Sequence, residues 1–292
     1  MSLKKPSEKP LRIPKWLRIT LPKNENFAGT AGLIADLHLN TVCQSAKCPN
    51  KWECFSKSVA TFLIMGAICT RNCAFCNIVS GDLEPLDPTE PARVAEAAKR
   101  LALKHVVITS VTRDDLPDGG AAHFAATIRA VHEVMPHCTI EVLIPDLQGD
   151  QVALRTVLNA QPDVLNHNLE TTAVLYDTIR PQANYRQSLD VLVNAKRMAP
   201  DIPTKSGIMV GLGETDEQIM TVLDDFAAVD CDIVTIGQYM QPSRQHPMVQ
   251  RYVDPTVFDR YAEEGTKRGI SHMFSAPLVR SSYNAADFVE KV

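Results

Sequence analysis

The chain has 292 residues, of which 45% are hydrophobic and 22% are charged, and this length allows one large domain or two small ones without covalent staples. The formal net charge of -4 gives no electrostatic footprint for nucleic acid or an anionic membrane. The longest apolar stretch, residues 59–69, is far shorter than the roughly 20 residues of a membrane-spanning helix, and the N-terminus has no apolar segment typical of a secretory signal. We therefore predict a cytoplasmic protein that binds neither nucleic acid nor membrane.

The first 58 residues differ in pattern from the rest of the chain. Residues 1–30 are rich in Pro, Lys and Asn and show no periodicity, which predicts an extended arm. Residues 31–58 contain a short helical segment that leads into a first group of cysteines. From residue 59 onward, apolar segments alternate with amphipathic helices. The predicted strands are VATFLIMG, HVVITSV, TIEVLIP, DVLNHNLE, TKSGIMVG and DIVTIGQYM.

These strands are apolar on both faces and are separated by helices of about 10 to 16 residues, a pattern that indicates a parallel sheet built from βαβ units. Because six strands are too few to close a (β/α)8 barrel, we predict an α/β fold with a partial, TIM-like (β/α)6 barrel; a doubly wound sheet is the alternative. The predicted divisions are an N-terminal extension (1–58), the barrel (59–270) and a C-terminal extension (271–292). Polar stretches follow several strands, so we expect them to line one mouth.

Six of the eight cysteines lie between residues 43 and 76. Cys69, Cys73 and Cys76 follow the first predicted strand with the spacing CxxxCxxC. Three thiolates at this spacing can hold three irons of a cubane and leave the fourth iron open to a substrate or cofactor. A zinc site or a set of buried core cysteines is the alternative, which the lack of a nearby fourth Cys or His disfavours.

With Phe75 directly before the last cysteine, this motif resembles that of the radical S-adenosylmethionine enzymes. The resemblance implies that the open iron chelates the amino and carboxylate groups of S-adenosylmethionine, and that an electron from the cluster cleaves it to a 5′-deoxyadenosyl radical. Such a radical removes hydrogen from an unactivated C–H bond, which no acidic or basic side chain can do.

A second triplet, Cys43, Cys48 and Cys54, has the spacing CxxxxCxxxxxC and narrows the resemblance to the lipoyl synthase family. The family implies that this triplet holds an auxiliary [4Fe-4S] cluster on the terminal extensions, with Ser281 of the RSSY motif as its fourth ligand. Spacing alone does not choose between Ser281 and Ser282, and a surface turn is the alternative interpretation of RSSY. The motifs that carry the resemblance are CPNKWEC, TRNCAFC, ITSVTRDDLPDGGA, NHNLET and RSSYNA.

The resemblance to lipoyl synthases implies insertion of sulfur at C6 and C8 of an octanoyl chain that is held in amide linkage to a lysine of a lipoyl carrier domain. Two S-adenosylmethionine molecules are implied per product, with the auxiliary cluster as the source of both sulfurs. The implied partners are octanoylated carriers such as the glycine cleavage H protein and the E2 subunits of 2-oxoacid dehydrogenases, together with flavodoxin or ferredoxin as electron donor. Another radical sulfur-inserting enzyme and a two-cluster electron-transfer protein are the competing interpretations, although the large α/β scaffold favours a substrate pocket.

Three further motifs imply contacts to S-adenosylmethionine. GIMVGLGE at residues 207–214 resembles the GxIxGxxE pattern near the adenine, with Gly211 inside it and Met209 in place of Ile. In NHNLE, Glu170 is placed to accept hydrogen bonds from ribose hydroxyls, with Asn168 assisting; a helix N-terminal acid is the alternative for Glu170. In TIRPQ, Arg180 is the candidate partner of the methionine carboxylate, and a solvated arginine at a helix end is its alternative.

Ser110, Asp114 and Asp115 follow the second predicted strand, where the methionyl amino group is expected, and the sequence does not rank them. The other cysteines and two histidines are interpreted as structural, the thiols as small core residues and the imidazoles as hydrogen-bonded groups. These residues are Cys138, Cys231, His105 and His167.

Overall fold

Strands that alternate with helices account for most of the regular structure. The computed structural model describes residues 11–18, 26–57 and 59–282. The strands are β1 (Asn40–Thr41), β2 (Thr61–Ile64), β3 (Ile68–Cys69), β4 (Val79–Ser80), β5 (His105–Ser110), β6 (Thr139–Leu143), β7 (Val164–Asn166), β8 (Thr204–Val210), β9 (Ile233–Gln238) and β10 (His272–Ser275). The α-helices are α1 (Asn26–Asp36), α2 (Val42–Ser45), α3 (Lys51–Ser56), α4 (Glu90–Arg100), α5 (Ala121–Val134), α6 (Gln151–Leu158), α7 (Tyr176–Ile179), α8 (Tyr185–Met198), α9 (Asp216–Ala228) and α10 (Pro255–Lys267). Within these ranges, no helix is long and apolar enough to cross a membrane.

Eight strands form one sheet in the order β1-β2-β5-β6-β7-β8-β9-β10. Strand β1 is antiparallel to β2, and every other pair of neighbours is parallel. The parallel strands follow one another in chain order without a reversal, which is the winding of a barrel, whereas a doubly wound sheet reverses its order at a switch point. The predicted α/β class with a parallel sheet is therefore confirmed, and the doubly wound alternative is wrong.

Two strands of this sheet are additional to the six predicted ones. Strand β10 lies in the segment assigned to the C-terminal extension and pairs with β9, and β1 contains only two residues. The sequence of β10, HMFS, is half-buried along its whole length. It therefore lacks the apolar run by which the other parallel strands are recognised.

The helices begin where the sequence provides capping groups. Helix α9 starts with a capping box in which Thr215 and Gln218 bond reciprocally to each other's backbone N–H. The carboxylate of Asp150 accepts bonds from the first turn of α6, and Asp254 does the same for α10. These helices pack their apolar faces on the sheet in two main hydrophobic clusters, one around β2, β5 and β6 and the other around β8 and β9.

A layer of buried charged and polar side chains crosses the inside of the sheet. Glu141 on β6 and Lys205 on β8 are fully buried, and Lys205 Nζ lies 2.7 Å from Glu141 Oε2. Asn166 Nδ2 donates to the other carboxylate oxygen at 2.8 Å, and His105 is hydrogen-bonded to Thr139 Oγ1 at 2.8 Å, as predicted for a structural histidine. Burial opposes ionisation, but the adjacent ammonium of Lys205 keeps the pKa of Glu141 lowered.

Candidate active site

The carboxyl ends of the parallel strands open into one cavity of about 320 Å³. Nine of the twelve predicted site residues line this cavity, and they come from separate segments of the chain. The nine are Cys48, Cys69, Cys73, Cys76, Ser110, Asn168, Glu170, Arg180 and Ser281. The other three, Cys43, Cys54 and Gly211, lie outside its lining.

The loop that carries Cys69, Cys73 and Cys76 is closed at its base by a two-stranded parallel ribbon of β3 and β4. The Sγ atom of Cys69 accepts bonds from the backbone N–H groups of Arg71 at 3.4 Å and Thr112 at 3.3 Å. Burial raises the pKa of Cys76 to about 12, so this thiol is protonated until a metal replaces the proton. Three free, half-buried thiols with N–H donors to one sulfur are the ligands and supporting hydrogen bonds that an iron–sulfur cluster requires.

No three His, Cys, Asp or Glu side chains in the described ranges are grouped to hold one metal ion. A cubane makes a different demand, because each thiolate binds its own iron at a separate corner of the cluster. The loop is further held by His246, whose Nε2 donates to the carbonyl oxygen of Cys76 at 3.0 Å. The sequence pattern indicates only that polar residues follow β9, and it does not select His246.

Arg71, within the CTRNC motif, anchors the loop to two neighbouring strand ends. Its guanidinium donates to Asp114 at 2.7 and 2.8 Å and to Asp146 at 2.8 and 2.7 Å. Burial opposes ionisation of Asp146, but its hydrogen bonds and charge interaction with Arg71 lower the pKa of Asp146 to about 2. Sequence reasoning missed this anchor, because Arg71 and Asp146 lie 75 residues apart and meet only when the sheet forms.

Asp146→Asn should lower the free energy of unfolding by about 2.5 kcal/mol at neutral pH. The pKa of Asp146 is near 2 in the folded chain and about 4 in the unfolded chain, and each pH unit between the two values stabilises the native state by about 1.4 kcal/mol. The stabilisation is fully present above the unfolded pKa of about 4 and is lost as pH falls through about 2. The difference between wild type and variant should therefore shrink below about pH 4.

Urea unfolding at several pH values measures this difference in the free energy of unfolding. The exposed Asp201→Asn is the control, and its stability should follow that of wild type at every pH. A difference between wild type and Asp146→Asn that stays constant across this window would contradict the lowered pKa of Asp146.

The second triplet forms a separate group at the edge of the cavity. Cys43 begins the turn of α2 and is buried, Cys54 lies on α3, and Cys48 between them faces the cavity. Burial, together with the charges of the neighbouring Cys43 and Cys48, raises the pKa of Cys54 to about 12. The three thiols are therefore close enough in space to interact.

Asparagine side chains connect the second triplet to the other parts of the site. Asn77, directly after Cys76, donates from Nδ2 to the carbonyl oxygen of Ser45 at 2.8 Å and so joins the two cysteine loops. Buried Asn50 donates from Nδ2 to the carbonyl oxygen of Leu278 at 2.8 Å, across 228 residues of sequence. The C-terminal segment 276–282 is thereby held against the loop of the second triplet.

Gly237 on β9 provides the space for this C-terminal segment. A Cβ at this position would lie 2.0 Å from the carbonyl oxygen of Val279, which is backbone and has no rotamer with which to move aside. With glycine there, the segment crosses the strand and both Ser281 and Ser282 line the cavity. The structure thus brings both candidate serines to the site, while Tyr283, Asn284 and Ala285 of the RSSYNA motif lie outside the described residues.

Gly237→Ala should displace segment 276–282 and leave the barrel folded, because the clash is with that segment alone among the nearest backbone atoms. We expect trypsin to cleave after Arg280, now half-buried, roughly tenfold faster in the variant, since cleavage follows local opening. Mass spectrometry of the released peptide measures the rate. Gly29→Ala, whose Cβ would meet nothing within 4 Å, is the matched control, and equal cleavage of both variants would contradict the proposed contact.

The predicted contacts to S-adenosylmethionine cluster after β7. Glu170 has a φ of 69°, an uncommon value for a residue with a side chain that is characteristic of functional sites, and burial raises its pKa. Arg180 Nη1 donates to the carbonyl oxygen of Asn168 at 2.9 Å and to Tyr176 Oη at 2.6 Å. In the described part of the chain, Ser110 Oγ, Asn168 Oδ1 and Arg180 Nε are buried without partners. Such orphaned groups in one cavity fit a polar ligand.

Three other candidate residues make contacts within the protein itself. Gly211 begins a tight turn with a φ of +100°, and its N–H donates to the carboxylate of Glu214 at 2.6 Å; Met209 lines the cavity in its place. Asp114 is paired with Arg71 and Asp115 with Arg113. Of the three unranked candidates, Ser110 at the end of β5 is the one that lines the cavity, and the two acids follow the strand.

His167 is both structural and part of the cavity lining. Its Nδ1 donates to the carbonyl oxygen of Ile144 at 2.9 Å, which confirms the predicted hydrogen bond. Burial lowers its pKa to about 4, so the imidazole is neutral at physiological pH. Its Nε2 has no partner in the described ranges and is left as an acceptor.

Comparison with known proteins identifies the class of enzyme. The family model for the radical SAM superfamily matches residues 63–226, so the fold and the cysteine loop define a radical S-adenosylmethionine enzyme with a [4Fe-4S] cluster. The chain is 63% identical over 291 residues to the lipoyl synthase of Oleidesulfovibrio alaskensis, covering 100% of this chain and 99% of that protein. It is 62% identical to the lipoyl synthase of Nitratidesulfovibrio vulgaris, covering 94% and 92%. The chain belongs to the lipoyl synthase family.

Solved structures of low sequence identity share the fold. SuiB of Streptococcus suis, in a crystal structure bound to S-adenosylmethionine, superposes with a TM-score of 0.57 at 12% identity over 77% of this chain and 54% of its own. Methylornithine synthase PylB superposes with a TM-score of 0.54 at 14% identity over 76% and 72%. These similarities concern the barrel and carry no information about substrate.

Proposed function

We propose that this enzyme inserts two sulfur atoms, at C6 and C8, into an octanoyl chain attached to a lysine of a lipoyl carrier domain, and that an auxiliary [4Fe-4S] cluster donates both sulfurs. The observation that carries the proposal is the meeting of two sets of ligands at one cavity. Cys48 and Ser281 line the same cavity as Cys69, Cys73 and Cys76. A substrate in this cavity lies within reach of both sets.

Cys69, Cys73 and Cys76 would hold the cluster whose open iron binds S-adenosylmethionine. When bound, this pair supplies the radical that removes one hydrogen from each of the two carbons, so two S-adenosylmethionine molecules are used per product. The chain itself provides orientation. Arg71 fixes the cysteine loop by pairing with two carboxylates. The backbone N–H groups that donate to Cys69 Sγ would stabilise the negative charge of its thiolate.

Cys43, Cys48, Cys54 and Ser281 would hold the auxiliary cluster, which supplies sulfur when bound. A serine alkoxide is a harder ligand than thiolate for an iron–sulfur site, so the iron that it binds is released most easily. This assignment is supported by the bond that holds Leu278 to Asn50, between Cys48 and Cys54. Ser282 is the neighbouring alternative, since both serines line the cavity.

The remaining lining fits the other parts of the proposed reactants. Glu170 would accept hydrogen bonds from the ribose hydroxyls, Arg180 would pair with the methionine carboxylate through its unpartnered Nε, and Ser110 would contact the methionyl amino group. An acyl chain requires an apolar wall, which the cavity also has. Its apolar residues include Val42, Leu63, Val111, Leu143, Met240 and Val279.

The proposed partners are octanoylated carriers such as the glycine cleavage H protein and the E2 subunits of 2-oxoacid dehydrogenases. A flavodoxin or ferredoxin is the proposed source of electrons, and the cytoplasm is the proposed compartment, because eight unpaired cysteines persist in reducing surroundings. The proposed divisions of the chain remain the N-terminal extension at 1–58, the barrel at 59–270 and the C-terminal extension at 271–292.

Sulfur insertion is tested in the absence of oxygen. The reconstituted protein is reduced and mixed with S-adenosylmethionine and an octanoylated lipoyl domain, and the intact mass of that domain is recorded. A gain of two sulfur atoms with the loss of two hydrogen atoms is the expected result. If 5′-deoxyadenosine forms while the mass of the domain stays unchanged, the proposed substrate is wrong although the radical chemistry is present.

A further inference from the structure

One side-chain amide, that of Asn168, touches both halves of the proposed machinery. Its Nδ2 donates to Glu170 Oε1 at 3.0 Å and to Ser281 Oγ at 2.9 Å. The side chain is buried, and its own backbone carbonyl is held by Arg180 Nη1 at 2.9 Å. Its position is therefore fixed from the barrel side, while its two amide protons point to groups with different proposed roles.

The orientation of this amide follows from its partners. The NH2 group of Asn168 faces Glu170 and Ser281, because its Nδ2 lies within hydrogen-bond distance of an acceptor oxygen of each. Its Oδ1 points the other way, towards Gly207, where a Cβ would lie 3.3 Å from it. Both protons of the amide are thus used at once, one by the carboxylate and one by the serine hydroxyl.

We propose that Asn168 is a positioning residue that links occupancy of the S-adenosylmethionine site to the hold on Ser281. The inference rests on the proposed function, because it takes Glu170 as the ribose contact and Ser281 as a cluster ligand. Ribose hydroxyls bound to Glu170 would fix its carboxylate. The fixed carboxylate would hold the amide plane of Asn168, and the amide would hold Ser281 in the geometry for ligation.

The consequence is a difference between the two states of the S-adenosylmethionine site. With S-adenosylmethionine bound, Ser281 would be held in the geometry for ligation through Asn168. Without it, the carboxylate of Glu170 would be less restrained, the amide would gain freedom, and Ser281 would be held less firmly. Asn168 touches no reacting atom in this scheme, and its effect is transmitted through two hydrogen bonds.

The experiment measures iron release from reconstituted enzyme to a ferrous-iron chelator, with and without saturating S-adenosylmethionine. A variant without Cys43, Cys48 and Cys54 reports the iron lost from the other cluster, and its rate is subtracted. In wild type, S-adenosylmethionine should slow release from the auxiliary site roughly five- to tenfold, the worth of about one hydrogen bond. In Asn168→Asp, which keeps the shape but loses both donors, this protection should disappear.

The matched control is Asn159→Asp, an exposed asparagine after α6, which should retain the wild-type protection. Asn168→Asp should also weaken binding of S-adenosylmethionine several-fold. Each variant is therefore measured at an S-adenosylmethionine concentration that saturates that variant. If S-adenosylmethionine slows iron release from Asn168→Asp as much as from wild type, the inference is overturned. Bound S-adenosylmethionine would then slow the release by shielding the cluster, without the link through Asn168. Absence of any protection in wild type would overturn it as well, and this measurement does not depend on a variant that folds.

Failure of the inference and failure of the proposed function give different results. If the auxiliary cluster does not exist, the chain binds about four irons instead of about eight, and Ser281→Ala leaves iron release unchanged. If the cluster exists and only the link is wrong, about eight irons are bound. Ser281→Ala then accelerates release, while Asn168→Asp behaves as wild type.

Discussion

Cys54→Ala should abolish conversion of an octanoylated lipoyl domain while 5′-deoxyadenosine still forms. Cys54 lies on α3, outside the lining of the cavity, so its loss removes a ligand of the proposed auxiliary cluster without changing the loop of Cys69, Cys73 and Cys76. The iron content should fall from about eight to about four per chain. Intact mass of the carrier domain, nucleoside analysis and iron analysis on one sample measure the three quantities.

The control for this prediction is Cys138→Ala. Cys138 is a buried thiol whose Sγ donates to the carbonyl oxygen of Thr139 at 3.6 Å, away from both triplets, so its removal should leave iron content and product unchanged. Product formation by Cys54→Ala at the wild-type rate would show that the sulfur has another source. Loss of 5′-deoxyadenosine in the same variant would show instead that the two triplets are not independent.

Lys205→Met should lower the free energy of unfolding by about 3–5 kcal/mol, because it leaves the fully buried carboxylate of Glu141 without its cation. Replacing both members of the pair, as Lys205→Met with Glu141→Leu, should recover most of this loss, since apolar side chains of similar volume often substitute for a buried ion pair at little cost. Urea unfolding followed by circular dichroism measures all three proteins.

Lys267→Met is the matched control, because Lys267 pairs with Glu264 at 2.7 Å but its side chain is 65% exposed. Its loss should cost less than about 1 kcal/mol. If Lys205→Met lowers the free energy of unfolding as little as Lys267→Met does, the pair between β6 and β8 is not shielded from water as the structure indicates. Asn166 also donates to Glu141 and loses this acceptor in the double variant. Failure of the double variant to recover stability would indicate that the lost hydrogen bond of Asn166 contributes to the cost.

The sequence predicted those parts of the molecule that rest on local pattern. Six strands were recognisable from buried apolar residues between amphipathic helices, and β10 was not because its four residues are half-buried. The spacing of Cys69, Cys73 and Cys76 indicated a cluster because all three ligands lie on one loop. The anchor between Arg71 and Asp146 has no local pattern, since it depends on how β2 and β6 are placed in the sheet.

The motifs that resemble those of the family placed Gly211 and Asn168 near the site, but they did not predict the hydrogen bonds that these residues make. The GLGE motif resembled an adenine contact, but Gly211 is explained by a left-handed turn that closes on Glu214. Asn168 was predicted to contact the ribose of S-adenosylmethionine. Its hydrogen bond to Ser281 joins residues 113 positions apart, and no sequence spacing predicts such a pair. Such long-range pairs are where sequence reasoning has no signal.

The C-terminal segment is joined to the barrel differently from the strands. Ala276 N still donates to the carbonyl oxygen of Ile236 at 3.1 Å, next to the last pair of β9 and β10. Beyond it the segment is held by the bonds from Asn50 to Leu278, from Gln238 N to the carbonyl oxygen of Pro277 and from Asn168 to Ser281. The segment can therefore lift without unfolding any strand–helix unit. On the proposed function the auxiliary cluster is consumed and must be rebuilt between turnovers, and lifting of this segment would give access to its site. The three cysteines of the emptied site would remain on α2, α3 and the loop between them, in place to bind a replacement cluster.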